Sequence, residues 1–74
     1  MLDYQKNKLN NLGLKLNDYT TIGKYNVDFA TCMSSTKFCV AIYDTETKTR
    51  TQLCTRCNFD TAFLKVKEFL KNNQ

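Results

Sequence analysis

Histidine, tryptophan and proline are missing from this chain altogether, and glycine occurs only twice. Losing histidine removes the commonest general base and the commonest metal-ligating side chain. Catalysis would then rest on a cysteine thiolate or a carboxylate without its usual partner, so a non-enzymatic protein is expected. Losing proline leaves turns to be marked by glycine and by short Asn, Asp, Ser and Thr runs. No apolar run approaches the ~20 residues of a membrane helix. The opening Met1-Leu2-Asp3-Tyr4-Gln5-Lys6 lacks the apolar stretch of a secretory signal. A cytoplasmic protein with reduced thiols and no membrane association is therefore expected, with Met1 read as the start of an intact frame.

What is present is 74 residues with eleven Lys and Arg against seven Asp and Glu, a formal charge of +4. A domain of that length buries only about 60% of the surface its unfolded chain exposes. Its core rarely supplies more than ~3–5 kcal/mol unless a disulfide, a metal or a partner assists. One domain spanning residues 1–74 is expected. The positive charge suits an anionic partner, and it suits solubility equally well.

Leu2, Gln5, Leu9 and Leu12 recur at helical spacing, and Gly13 follows where a left-handed cap is wanted, with Leu14 placed for a Schellman contact. This predicts a helix over about 2–12, whose Lys6, Asn7, Lys8, Asn10 and Asn11 face solvent. Residues 14–23 mix strand and turn signals and are left undecided. Beyond Gly23 the period becomes two, predicting strands over about 25–33, 37–44 and 49–55, joined by Ser34-Ser35-Thr36 and by Asp44 to Lys48. Asp60 is read as the N-cap of a helix over about 60–72, with Phe59 and Leu64 as its hydrophobic staple. Phe63, Val66, Phe69 and Leu70 form the apolar stripe of that helix. The expected fold is α+β: a three-stranded antiparallel sheet with the C-terminal helix on one face, packed against Val27, Phe29, Phe38, Val40, Ile42 and Leu53, and a short N-terminal helix.

The four cysteines are the sharpest feature. Turns near Ser35 and Glu46–Thr47 would pair Met33 with Phe38, Cys32 with Cys39, and Cys39 with Cys54, putting a row of thiols on the face away from the final helix. With Cys57 the set reads C-x6-C-x14-C-x2-C, and a C-x2-C is half of a zinc ribbon signature. Strand spacing opposes one zinc site, because the outer members of such a row start ~9–10 Å apart whereas two thiolate ligands of one zinc lie under ~4 Å apart. Buried free thiols are the favoured reading. Zinc on Cys32, Cys39, Cys54 and Cys57 and a disulfide between opposed strands remain the alternatives, and no cofactor is otherwise implied.

Ala30, Ala41 and the cysteines make the second face smooth enough for the N-terminal helix to cover it through Leu2, Leu9 and Leu12. If it is open instead, Asn26, Tyr43, Arg50 and Gln52 are its polar reach, with Lys37 and Lys48 at its margins. Three strands followed by a helix, from Tyr25 to Leu70, resemble the sheet-reading DNA-binding modules of tyrosine recombinase arm-binding domains and AP2-type factors. That resemblance implies base contacts from Arg50, Gln52, Asn26 and Tyr43 and phosphate contacts from Lys37 and Lys48, against which Asp28 stands. The helix–strands–helix order is also similar to double-stranded RNA binding domains. Their basic cluster at the start of the last helix is replaced here by Asn58-Phe59-Asp60-Thr61.

The small frame and the abundance of Asn, Lys, Thr and Tyr resemble proteins of AT-rich phages and plasmids, among them anti-restriction and anti-CRISPR inhibitors. Many of those are acidic mimics of DNA, and +4 departs from that group. The protein expected is therefore a phage or mobile-element product that inhibits a host nucleic-acid-targeting defence enzyme by direct contact in the bacterial cytoplasm. Its partner would be a host protein or nucleoprotein complex, with nucleic acid and a second copy of the chain as further candidates. The alternatives are a sheet-reading DNA-binding module and a small zinc-stabilised interaction domain. The contact residues expected are Tyr43, Lys48, Arg50, Gln52, Asn26 and Lys37.

Overall fold

The computed structural model describes residues 2–32 and 36–73. Helix α1 (Asp3–Leu12) leads into β1 (Tyr19–Ile22), β2 (Tyr25–Thr31), β3 (Phe38–Asp44), β4 (Thr49–Cys57) and helix α2 (Phe59–Asn72). The α+β class agrees with expectation, but the sheet has four strands in the order β1-β2-β3-β4, each antiparallel to its neighbour. Met33, Ser34 and Ser35, where the first of the three expected strands ends and turns, lie outside the described residues.

Helix α1 ends as its leucines and glycine dictate. Gly13 takes φ 80° and donates its N–H to Asn10 O, while the Leu14 N–H reaches Leu9 O at 2.8 Å. That is the Schellman pairing, and its apolar contact joins Leu9 and Leu14, both buried. The undecided segment resolves into β1 because Gly23, at φ 61°, supplies the positive φ that a two-residue hairpin demands at its first position. Ile22 then pairs with Tyr25, and Tyr19 with Asp28. Asn17, itself at φ 59°, extends the edge by accepting the Thr31 N–H on its side-chain oxygen at 2.9 Å.

At the other end, Asn58 rather than Asp60 caps α2, accepting the Thr61 N–H at 2.9 Å. The expected staple is not made. Leu64 is exposed, and Phe59 sits inside the helix's first turn, buried and stacked 5.7 Å from Phe63. Spacing explains the shift, since Phe59, Ala62, Val66 and Leu70 keep one face toward the sheet only if the helix starts a residue earlier than 60.

A single core forms between the sheet face of Tyr25, Val27, Phe29, Phe38, Val40 and Ile42 and residues from both helices, namely Leu9, Phe59, Ala62, Val66 and Leu70. Phe29, Phe38 and Phe59 meet with centroids 5.5–5.7 Å apart, at tilted and edge-on angles that aromatic pairs favour. Tyr4 packs edge-on against Phe59, and Lys8 lies 3.9 Å from Asp60, so α1 lies beside α2. This corrects the expectation that α1 covers the second face. The apolar stripe of a ten-residue helix gains more by joining an existing core than by closing a separate layer over alanines. The result is two layers, with helices on one side only.

The sheet register explains where the sulfurs go. Pairing between β3 and β4 starts as expected, with Tyr43 opposite Arg50 and Ala41 opposite Gln52. Two irregularities follow, so that Val40 meets Cys54 and Phe38 meets Cys57. An extra residue in one strand reverses which face the next side chain takes. Cys54 thereby enters the core with its sulfur 3.6 Å from Phe38 O, instead of joining a row on the opposite face. The second irregularity includes Arg56 at φ 58°. Between β2 and β3 the register slips by two, placing Cys39 opposite Ala30 and Phe38 opposite Thr31. A slip of two preserves facing, so Cys32 and Cys39 still share the helix-free side.

Candidate functional site

The helix-free face carries two rows of side chains that the alternation of four strands sets in line. One runs Tyr19, Asp28, Ala41, Gln52, and the next runs Thr21, Asn26, Tyr43, Arg50, each residue opposite the one before it. Ala41 is almost fully enclosed, yet it belongs to the other side of the sheet from the core. Its short side chain is the floor of a depression of about 270 Å³ walled by Tyr19, Asn26, Asp28, Tyr43 and Arg50. Tyr19 stands 63% exposed at one rim, with its ring available to a ligand on that face.

Of the six expected contact residues, Asn26, Tyr43 and Arg50 come together here. Gln52 adjoins them in the next row, but its amide is engaged. Nε2 donates to Val40 O at 3.2 Å and to Cys54 O at 2.8 Å, beside the irregular part of the ladder. Lys37 and Lys48 flank opposite ends of β3, outside the depression. Lys48 holds φ 58° in the β3–β4 turn. Sequence reasoning missed Tyr19, whose signal was the β-prone Tyr19-Thr20-Thr21-Ile22 directly before a glycine turn and a second strand. It weighed Asp28 only as an obstacle.

Asn26 is fixed by a hydrogen bond from Thr21 Oγ1 to its Oδ1 at 2.8 Å. Arg50 and Asp28 stand in adjacent rows two strands apart, and among the described residues neither joins an ion pair. The depression is thus bipolar, with one carboxylate and one guanidinium separated by an alanine floor and a phenol.

One charge cluster outside the depression is structural. Lys24 Nζ lies 3.6 Å from Asp44 and 3.7 Å from Glu46, and 5.3 Å above the Tyr25 ring. Asp44, Tyr25 and Glu46, in that order, hold the Lys24 pKa above its usual 10.5. Burial pushes the Asp44 pKa up, but N–H donors from Thr47 and Glu46 and the Lys24 charge outweigh it and leave it below 3.8. These contacts, with Thr45 bonding Lys24 O, lock the β3–β4 turn to the β1–β2 hairpin.

The cysteines form two disulfides, Cys32 with Cys39 and Cys54 with Cys57, across Cα separations of 6.0 and 6.2 Å. Both separations lie within the usual range for the bond. This corrects the favoured reading of free thiols. It also dissolves the four-thiolate zinc alternative, because one pair lies on the open face and the other on the helix side, and no cluster of metal-ligating side chains occurs among the described residues. Disulfides are rare where glutathione and thioredoxin act, so the pairing weighs against the reduced cytoplasmic setting expected from the N-terminus. Among the described residues no helix is long and apolar enough to cross a membrane. No protein-family model, curated protein or solved structure matches the chain.

Proposed function

We propose that this chain is a small binding protein without chemistry of its own, that its open sheet face is the contact surface, and that it inhibits a protein or nucleoprotein enzyme of a bacterial cell in the manner of phage and mobile-element inhibitors. One observation carries the choice of surface. Both helices pack on one side of the sheet, leaving Tyr19, Tyr43, Arg50 and Asn26 ranged around Ala41 on the other. Tyrosine and arginine supply much of the energy at protein interfaces, because each combines a large area with directed hydrogen bonds. The inhibitory role and the kind of host rest on size and composition, and a nucleoprotein target in the reducing cytoplasm requires the two disulfides to persist there.

A sheet-reading DNA-binding module is the second reading, favoured by the same uncovered face opposite a helix. Asp28 in the middle of that face opposes it, since a carboxylate repels phosphates and the acceptor-rich edge of guanine. The two readings separate in one experiment. Tagged protein and the Tyr43→Ala/Arg50→Ala variant are used to capture partners from bacterial lysate, with and without reductant, beside a titration with duplex DNA at rising salt. A single protein partner that the variant fails to retain, with no steeply salt-dependent DNA binding, supports the inhibitor. DNA binding whose logarithm of affinity falls linearly and steeply with the logarithm of salt concentration overturns it.

A further inference from the structure

We infer that the notch beside Asp28 is a receptor for a basic side chain, arginine or lysine, of a protein segment bound across the open face. This rests on the open face being the contact surface and adds the chemistry of what enters it. Asp28 is half-buried, and among the described residues its carboxylate has no ion pair and no hydrogen bond. No buried side-chain oxygen among the described residues lacks a partner, so the unpaired Asp28 oxygens reach solvent and are open to an incoming cation. Tyr19 stands directly opposite it on β1, with Cβ atoms about 4.5–5.5 Å apart in such pairs. Tyr43 stands diagonally from it on β3, about 7–8 Å away in that geometry. Two phenol rings flanking a carboxylate offer a cation both an ion pair and the negative faces of aromatic rings. Ala41, directly opposite Asp28 on its other side, leaves the opening through which a long side chain descends.

The remainder of the depression adds direction. Arg50 lies two strands from Asp28, with the strand backbones ~9–10 Å apart, and no ion pair among the described residues joins the two side chains. They do not neutralise each other. A ligand matching both presents a cation to Asp28 and a carboxylate to Arg50. On an extended segment, side chains two residues apart share a face about 6.6 Å from each other, and long side chains span the rest. A segment of the form basic-x-acidic therefore meets both ends. A nucleic acid strand offers negative charge at every step, and so meets Arg50 while being repelled at Asp28.

The test titrates the intact 15N-labelled chain with a blocked five-residue peptide carrying arginine and, two positions later, glutamate. Parallel arms use the same peptide with lysine for arginine, the peptide with glutamate at both positions, and a short DNA duplex. The expected result is saturable shifts of the Tyr19, Asp28 and Tyr43 amides with the arginine and lysine peptides, no saturation with the doubly acidic one, and at least tenfold weaker binding by Asp28→Asn. Because the Asp28 carboxylate has no partner among the described residues, Asp28→Asn keeps the wild-type spectrum elsewhere, so lost binding is not lost folding. Equal affinity of Asp28→Asn, or preference for the acidic peptide or the duplex at these residues, overturns the inference while leaving the face as a contact surface. Absence of shifts on this face with every probe overturns it as well. The capture experiment then decides separately whether the face binds anything.

Discussion

Opening the two disulfides should bring this protein to the brink of unfolding. Cross-linking residues removes loop-closure entropy from the unfolded chain by an amount set by the loop. The Cys32–Cys39 bond spans 7 residues in sequence and the Cys54–Cys57 bond spans 3. Those loops correspond to ~2.4 and ~1.6 kcal/mol at 25 °C, or ~4 kcal/mol together. A core of this size supplies about 3–5 kcal/mol, so reduction removes a share comparable to the whole. Alanine is the right replacement at Cys54, because a serine hydroxyl in that buried site would add a desolvation cost of about 1–3 kcal/mol. Urea unfolding followed by circular dichroism, with a slope of about 1 kcal/mol/M, reads the first loss as a midpoint lowered by ~2.4 M for Cys32→Ala/Cys39→Ala. Cys54→Ala/Cys57→Ala should move it by ~1.6 M, plus whatever core packing the sulfur contributed. Thiol titration of the folded, unreduced protein should find no reactive sulfhydryl. Four titratable thiols, or identical midpoints with and without reductant, would refute the pairing and everything drawn from it.

Three further outcomes are expected. Asn58→Ala removes the oxygen that holds the Thr61 N–H and should cost ~1 kcal/mol in thermal or urea unfolding, whereas Asp60→Ala, at the position expected to cap, loses only an exposed first-turn carboxylate and its contact to Lys8 and should cost less. Gly13→Ala meets no neighbour within 4 Å, so its loss of ~1 kcal/mol, read by the same unfolding curves, comes from the left-handed backbone alone. Asp44, with its pKa held below 3.8, contributes stability that is present above 3.8 and disappears as pH falls through its folded value, while Lys24, held above 10.5, contributes stability present below 10.5 and lost as pH rises through its folded value. Melting temperatures from pH 2 to 11 should therefore show Asp44→Asn with a flatter acid limb than wild type, and parallel acid limbs would contradict the assignment.

Periodicity and caps were legible because they are local. Gly13 with Leu9 and Leu14 announces its Schellman turn within six residues, and the alternation of Tyr25, Val27 and Phe29 marks a half-buried strand without any knowledge of its neighbours. The region from Asn17 to Ile22 was not legible, since a four-residue edge strand carries too few alternations to outweigh its turn-like start, and its identity depends on pairing with β2. For the site, Asn26, Tyr43 and Arg50 could be named from facing alone. That the Gln52 amide is tied up by Val40 O and Cys54 O depends on the ladder irregularity, which no local pattern reveals.

By itself, the order of residues determined an α+β domain, its two helices, three of its strands and the absence of imidazole chemistry, all of which follow from spacing along the chain and from composition. Tertiary structure decided that both helices share one side, that Cys54 turns inward, and that Tyr19 meets Asp28 beside the alanine at the base of the depression. Those outcomes hang on two irregularities in the β3–β4 ladder, on the β1–β2 pairing and on which surface buries the most apolar area. None of these is written in any window of sequence shorter than the fold.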